Sequence, residues 1–130
     1  MIFVFGSNEA GIHGAGAADH AYRHEGAVWG KGDGLAGNSY AIPTKDLKIL
    51  TLPLATIAVY VDEFVAFAES RPDLEFNVTR IGCGFAGYTD TDIAPLFADA
   101  PANCHLPVKG EYGCLQSWRD IIADYQRATS

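Results

Sequence analysis

Three short strand-like runs, over residues 2–5, 39–42 and 75–81, alternate with longer stretches of helical periodicity, and this alternation constrains the fold more than any other feature. The runs stop at Gly6, Pro43 and Gly82, residues that punctuate strands. Between the second and third, Leu54, Ile57, Ala58, Val61, Phe64, Val65 and Ala68 recur at helical spacing. They predict a helix to about residue 70, opened by Pro53 and ended by Arg71-Pro72-Asp73. A second helix is predicted over about 14–24, and a short one over 92–99 capped by Thr89 or Thr91. A last strand is expected over 104–108, followed by a helix carrying Leu115, Trp118, Ile121, Ile122 and Tyr125. Residues 25–38, with Gly26, Gly30, Gly32, Gly34 and Gly37, read as a long irregular surface segment. The order β-α-β-α-β-α-β-α predicts a single α/β domain over 1–130, with a mostly parallel sheet covered by helices on both faces. Ligands of such sheets sit beyond the carboxyl ends of the strands. The loops at 6–16, 43–47 and 82–90 are therefore the places to look for a site.

The charge balance narrows the ligand. A formal net charge of -7 argues against broad contact with a nucleic-acid backbone, which calls for a basic surface. It leaves open a small phosphorylated ligand held by backbone N–H groups and a helix N-terminus. The cysteines are Cys83, Cys104 and Cys114; an odd count without C-x-x-C spacing reads as reduced thiols in a cytoplasm, bacterial or host. The start, Met1-Ile2-Phe3-Val4-Phe5-Gly6, reads as a strand and not a leader, and no run is long enough to span a membrane.

The first chemical segment is Gly6-Ser7-Asn8-Glu9-Ala10-Gly11-Ile12-His13-Gly14-Ala15-Gly16-Ala17-Ala18. Small residues there let a ligand reach the backbone, and the helix that follows offers free N–H groups to a diphosphate. Gly14-x-Gly16-x-x-Asp19 is only a partial dinucleotide pattern: it starts well after its strand, and its third position is not glycine. A tight turn with close helix–sheet packing is the plainer reading of the same residues. The second segment is Ile42-Pro43-Thr44-Lys45-Asp46. A lysine at the end of a buried strand can serve as a nucleophile where the site is dry; its alternative is a solvated lysine paired with Asp46. The third is Arg80-Ile81-Gly82-Cys83-Gly84-Phe85-Ala86-Gly87-Tyr88, a candidate anion-binding nest. No histidine can be placed beside Cys83, so it reads as a packed residue. Phe85 and Tyr88 read equally as stacking partners for a sugar or base and as loop anchors. His20 and His24 stand one helical turn apart without a third ligand, so no metal site and no cofactor is expected.

Taken together, these segments resemble the macrodomain family. The likeness is to the branch that holds the terminal ADP-ribose protein glycohydrolase and the antitoxin that removes ADP-ribose from DNA. It is carried by Gly14-Ala15-Gly16-Ala17-Ala18 entering a helix, by Pro43-Thr44-Lys45, and by Ile81-Gly82-Cys83-Gly84, in this order across residues 1–100. The chain is also similar to a group of phage and bacterial proteins that begin Phe-Gly-Ser-Asn and share the His-Gly-Ala-Gly-Ala-Ala loop. The resemblance implies a three-layer α-β-α sandwich with a mostly parallel mixed sheet, and ADP-ribose or an ADP-ribosylated substrate as partner. It implies that Lys45 attacks the distal ribose and that Asn8 holds it. It implies ligand contacts from His13, Gly14, Ala15, Gly16, Ala17, Thr44, Gly82, Cys83, Gly84, Phe85, Ala86, Gly87 and Tyr88. Two departures stand out. Ala86 occupies the position where the glycohydrolase has an assisting acid, and residues 109–130 have no counterpart in the family. A non-catalytic binding module or sponge is the alternative that the first departure favours.

Overall fold

The computed structural model describes residues 1–130. Its five strands are β1 (Ile2–Asn8), β2 (Gly34–Ala36), β3 (Ser39–Lys45), β4 (Phe76–Val78) and β5 (Cys104–His105). Its α-helices are α1 (Gly16–His24), α2 (Leu54–Ser70), α3 (Asp90–Ile93) and α4 (Trp118–Thr129), with single 3-10 turns at Ala94–Phe97 and Glu111–Gly113. The strands form one sheet in the order β2-β3-β1-β4-β5. The β3, β1, β4 and β5 pairings are parallel, and β2 runs antiparallel to β3. This is an α/β fold with a mixed, mostly parallel sheet.

Alternation along β1 assigns its side chains to two cores. Ile2 and Val4 join Tyr40, Ile42, Phe76 and Val78 on one face, beneath α2, α3 and α4. On α2, Ile57, Val61, Phe64, Val65 and Ala68 are buried, the stripe that the helical spacing predicts. The Phe64 ring meets Tyr40 and Phe76 edge-on, with centroids 5.0 and 5.3 Å apart. The opposite face has a smaller core of Phe5, Ala18, Ala21, Ala27 and Ala41, covered by α1 and the segment that follows it. No helix is long and apolar enough to cross a membrane.

The strand boundaries differ from those read in the sequence. β1 continues past Gly6 to Asn8, because Gly6 and Ser7 pair with Ile42 and Pro43. β3 likewise runs through Pro43 to Lys45, and the ladder is irregular at Ser7/Asn8, beside the proline that has no N–H to give. The segment expected to be irregular contains β2, which turns back through Gly37-Asn38 to pair with β3. The two later strands are shorter than expected, because only 76–78 and 104–105 keep ladder partners. Thr89 is the cap of α3: it accepts from Asp92 N–H at 3.3 Å, while Asp92 Oδ2 accepts from Thr89 N–H at 3.0 Å.

Asp90 ties the end of β4 to the C-terminal helix. Arg80 donates to it through two nitrogens, at 2.8 and 2.7 Å, and Trp118 Nε1 donates at 2.8 Å. The Arg80 guanidinium, helped by the indole N–H, holds the Asp90 carboxyl below its usual range. Because the folded-state value is depressed, the associated stability is present above the ordinary carboxylate range and is lost as pH falls through the folded value. Asp90→Ala should therefore cost about 2–3 kcal/mol near neutral pH. In urea unfolding between pH 2 and pH 7, the variant should lose less stability on acidification than the parent; equal acid sensitivity would count against the role of Asp90.

Candidate functional site

The chain passes from β1 to α1 through a loop that its own side chains fold. Asn8 Oδ1 accepts Ile12 N–H at 2.9 Å, and Asn8 Nδ2 donates to Ile12 O at 2.8 Å. Residues 28–32 then lie directly on this loop. Gly30 N–H donates to Gly11 O at 2.9 Å, and the Ser7 hydroxyl donates to Gly32 O. A Cβ on Gly32 would stand 1.8 Å from Asn8 O, and one on Gly11 2.3 Å from the carbonyl carbon of Gly30. Two stretches of main chain meet here at a distance that only glycine permits.

His13 is part of this support and does not line the site. It is fully buried, with Nε2 3.0 Å from Val28 O and 3.1 Å from Lys31 O. Both partners are acceptors, so Nε2 carries the proton; Nδ1 has no partner. The ring packs edge-on against Phe5 and Trp29. The expectation that His13 touches ligand is corrected accordingly: it holds the 28–31 carbonyls from inside.

Beyond His13 the chain surfaces at Gly14, Ala15 and Gly16 and enters α1. Ala15 at the N-cap position has no side-chain oxygen, so no cap occupies the helix start. The N–H groups of Gly16, Ala17 and Ala18 have no acceptor in the protein. Opposite them, Tyr88 N–H bonds to Gly82 O at 2.9 Å and Gly87 N–H to Gly84 O at 3.1 Å, closing a tight turn. Within that turn the N–H groups of Gly84, Phe85 and Ala86 also have no acceptor. Two sets of unpaired backbone donors thus border one opening.

The opening is a cleft of about 460 Å³ beyond the carboxyl ends of β1, β3 and β4. Of the residues expected from sequence, Asn8, Gly14, Ala15, Gly16, Ala17, Thr44, Lys45, Gly82, Gly84, Phe85 and Ala86 line it. Cys83, Gly87 and Tyr88 do not. The Tyr88 hydroxyl donates to Leu52 O at 2.6 Å, which makes it a loop anchor. Burial pushes the Cys83 thiol up to about 12, so it is no thiolate nucleophile at neutral pH. Lys45 Nζ lies 5.6 Å from the centroid of the Phe85 ring, and no carboxylate is within ion-pair distance of it. Asp46 is turned away, its Oδ1 accepting the N–H groups of Lys48 and Leu50 at 2.8 and 3.0 Å. No aspartate, glutamate or histidine lines the cleft.

Sequence reading missed Gly6, Ser7, Ile12, Ala18, Ile49, Thr79, Arg80 and Ile81 among the lining residues. Arg80 stood in the third motif and was legible as a cation at a strand end. Ile49 was not: it adopts φ 63°, a strained conformation for a β-branched residue, in a turn bridged to β3 and tied by Thr51 Oγ1 to Ala86 O at 3.0 Å. No family model, curated protein or solved structure matches the chain.

Two glycines of the same region should respond oppositely to a methyl group. Gly32→Ala forces the loop off Asn8 O and should cost about 2–3 kcal/mol or more. Gly14→Ala meets nothing within 4 Å and should be close to neutral. Thermal unfolding of both variants checks this, and equal melting temperatures would rule out the glycine contact as a constraint.

Proposed function

We propose that this cleft binds ADP-ribose or a closely related NAD-derived nucleotide, and that the chain is a macrodomain-like three-layer sandwich. The observation that carries the reading is that two sets of unpaired N–H groups, on Gly16–Ala18 and on Gly84–Ala86, border one opening. A diphosphate satisfies both without a dedicated cation, drawing also on the positive end of α1. The lining supports an anion as well, because Lys45 and Arg80 are its only charged side chains. The three motifs that carry the resemblance lie at the ends of three adjacent parallel strands, which supports the same reading. Asn8 spends one donor and one acceptor on its own loop, leaving one amide N–H for a ribose hydroxyl.

Turnover is favoured by the isolation of Lys45 from carboxylates. On an amine-linked ADP-ribose, ring opening leaves an imine at the anomeric carbon. The neutral Lys45 amine adds to that carbon, the acceptor amine leaves, and water then releases the Schiff base as the free sugar. A sponge without turnover is favoured by Ala86 and by a lining that holds no carboxyl or imidazole to move a proton.

Isothermal titration with ADP-ribose should give micromolar affinity, and Gly14→Val should abolish it in a protein that still unfolds cooperatively. A parent protein that gives no heat and no thermal shift at millimolar ligand would refute the binding reading. Lys45→Ala should change ADP-ribose affinity by less than about tenfold, because the backbone supplies most contacts. On ADP-ribosylated protein it should release no ADP-ribose, and borohydride should trap an adduct on the parent alone. Turnover surviving in Lys45→Ala would exclude the lysine mechanism; tight binding with no turnover in the parent would leave the sponge.

A further inference from the structure

Beyond β3 the chain makes a turn over residues 46–51 that holds its own shape. Asp46 N–H donates to Leu50 O at 2.8 Å, and Ile49 N–H to Asp46 O at 3.1 Å. Thr51 closes the turn, bridged to Lys45 and bonded through its hydroxyl to Ala86 O. The turn fixes three large apolar side chains without burying them: Leu47 is 71% exposed, Ile49 39% and Leu50 61%. Neither leucine packs against either core. Single exposed apolar residues are ordinary on a surface, but a cluster of them marks a place that something else covers.

This apolar surface continues into the cleft. Ile49 belongs both to the turn and to the lining, and the lining residue Phe85, 74% exposed, stands beside Lys45. The turn follows directly on Lys45 in the chain, so the cleft gives way to an apolar rim at the lysine. The rim is close to electrically neutral, because the turn carries one carboxylate, on Asp46, and one ammonium, on Lys48.

We propose that the 46–51 turn docks the protein that carries the nucleotide, and that it selects segments with large apolar side chains beside the modified residue. The inference rests on the nucleotide reading of the cleft and adds how the acceptor is chosen. The acceptor is joined to the anomeric carbon that Lys45 addresses, so it leaves the cleft beside Lys45 and passes the turn. A protein segment with apolar side chains buries them against Leu47 and Leu50, which gain nothing from water. A nucleic-acid acceptor would bring phosphates to a neutral turn on a chain of net charge -7, with no electrostatic gain. Neither leucine lines the cleft, so the two act on the acceptor and not on the nucleotide.

The test titrates the parent and the double variant Leu47→Ser/Leu50→Ser with free ADP-ribose and with peptides that carry ADP-ribose through a non-hydrolysable linkage. One peptide has leucines on either side of the modified residue, and the other has serines. A thymidine oligonucleotide modified in the same way is the third conjugate. Both leucines are exposed, so the variant should fold, which thermal unfolding verifies. The parent should bind the leucine-flanked peptide about tenfold more tightly than the serine-flanked one, and the oligonucleotide no more tightly than free ADP-ribose. The double variant should lose that preference and keep the parent affinity for free ADP-ribose. Equal affinity for the two peptides, in a parent that binds free ADP-ribose, overturns the docking surface and leaves the nucleotide reading standing. A preference that survives in the double variant, or an oligonucleotide bound most tightly of all, does the same. A parent dimer in sedimentation that the double variant loses assigns the turn to a second copy and also overturns the proposal. A parent that binds ADP-ribose in no form, free or conjugated, overturns both readings at once.

Discussion

The approach of residues 28–32 to the β1–α1 loop is the contact on which the site depends. The donors at the start of α1 are usable only because the loop before them is held to a fixed course. Asn8 folds that loop onto Ile12, and Gly11 and Gly32 let a second stretch of main chain lie against it. His13 fastens the two from within through the Val28 and Lys31 carbonyls. Gly32, within the 25–38 segment, is thus spent on supporting the first loop. Gly26 and Gly37 repeat the device at the far end of the segment, where a Cβ on either would stand about 3 Å from the other's backbone. A loop fastened this way arrives at α1 with Gly14 open to the cleft and no side chain competing for the helix N–H groups.

The second half of the site is anchored by different chemistry. The turn at 82–88 is fixed below by Arg80 and Asp90 and at its side by Tyr88 and Thr51, which tie it to the segment after β3. Asp90 also accepts from Trp118, a fully buried residue of α4. The last helix is therefore coupled to the cleft through one carboxylate, although α4 itself lies on the other face of the sheet. Burial of Cys83 beside that carboxylate, which disfavours its thiolate, makes the cysteine part of the anchor.

The architecture was legible where period and burial agree. The α2 stripe and the alternating order led directly to helices over a mostly parallel sheet, and the three motif loops do converge at one edge of it. What sequence could not show is the use of the glycines. Gly14 faces open space, whereas Gly32 lies against a carbonyl oxygen, yet each is one glycine in a glycine-rich run. Only the three-dimensional partner distinguishes them. His13 was misread for the same reason: its position inside the glycine loop suggested a ligand contact, while its buried Nε2 has two carbonyl partners. Strand lengths were overrun because Thr79, Arg80 and Ile81 have strand-like composition but no ladder partner beyond Val78. Ile49 carried no local signal, since nothing in an apolar turn announces a left-handed isoleucine.

The proposed anionic ligand sits uneasily with an acidic chain only if charge is averaged over the surface; where the charges lie removes the conflict. The net charge is -7, but no carboxylate lines the principal cleft, and the two side-chain cations on it are Lys45 and Arg80. Arg80 is charge-balanced by its ion pair with Asp90, and Lys45 faces an aromatic ring. The rest of the positive potential comes from oriented N–H dipoles, which carry no counterion and are not exposed across a broad surface. Such dipoles act at contact distance, and charges farther than a screening length of about 8 Å from them are largely screened. On the proposed reading, the six backbone N–H groups without acceptors that border the cleft are what a compact diphosphate would engage, while the net charge of -7 disfavours a long polyanion.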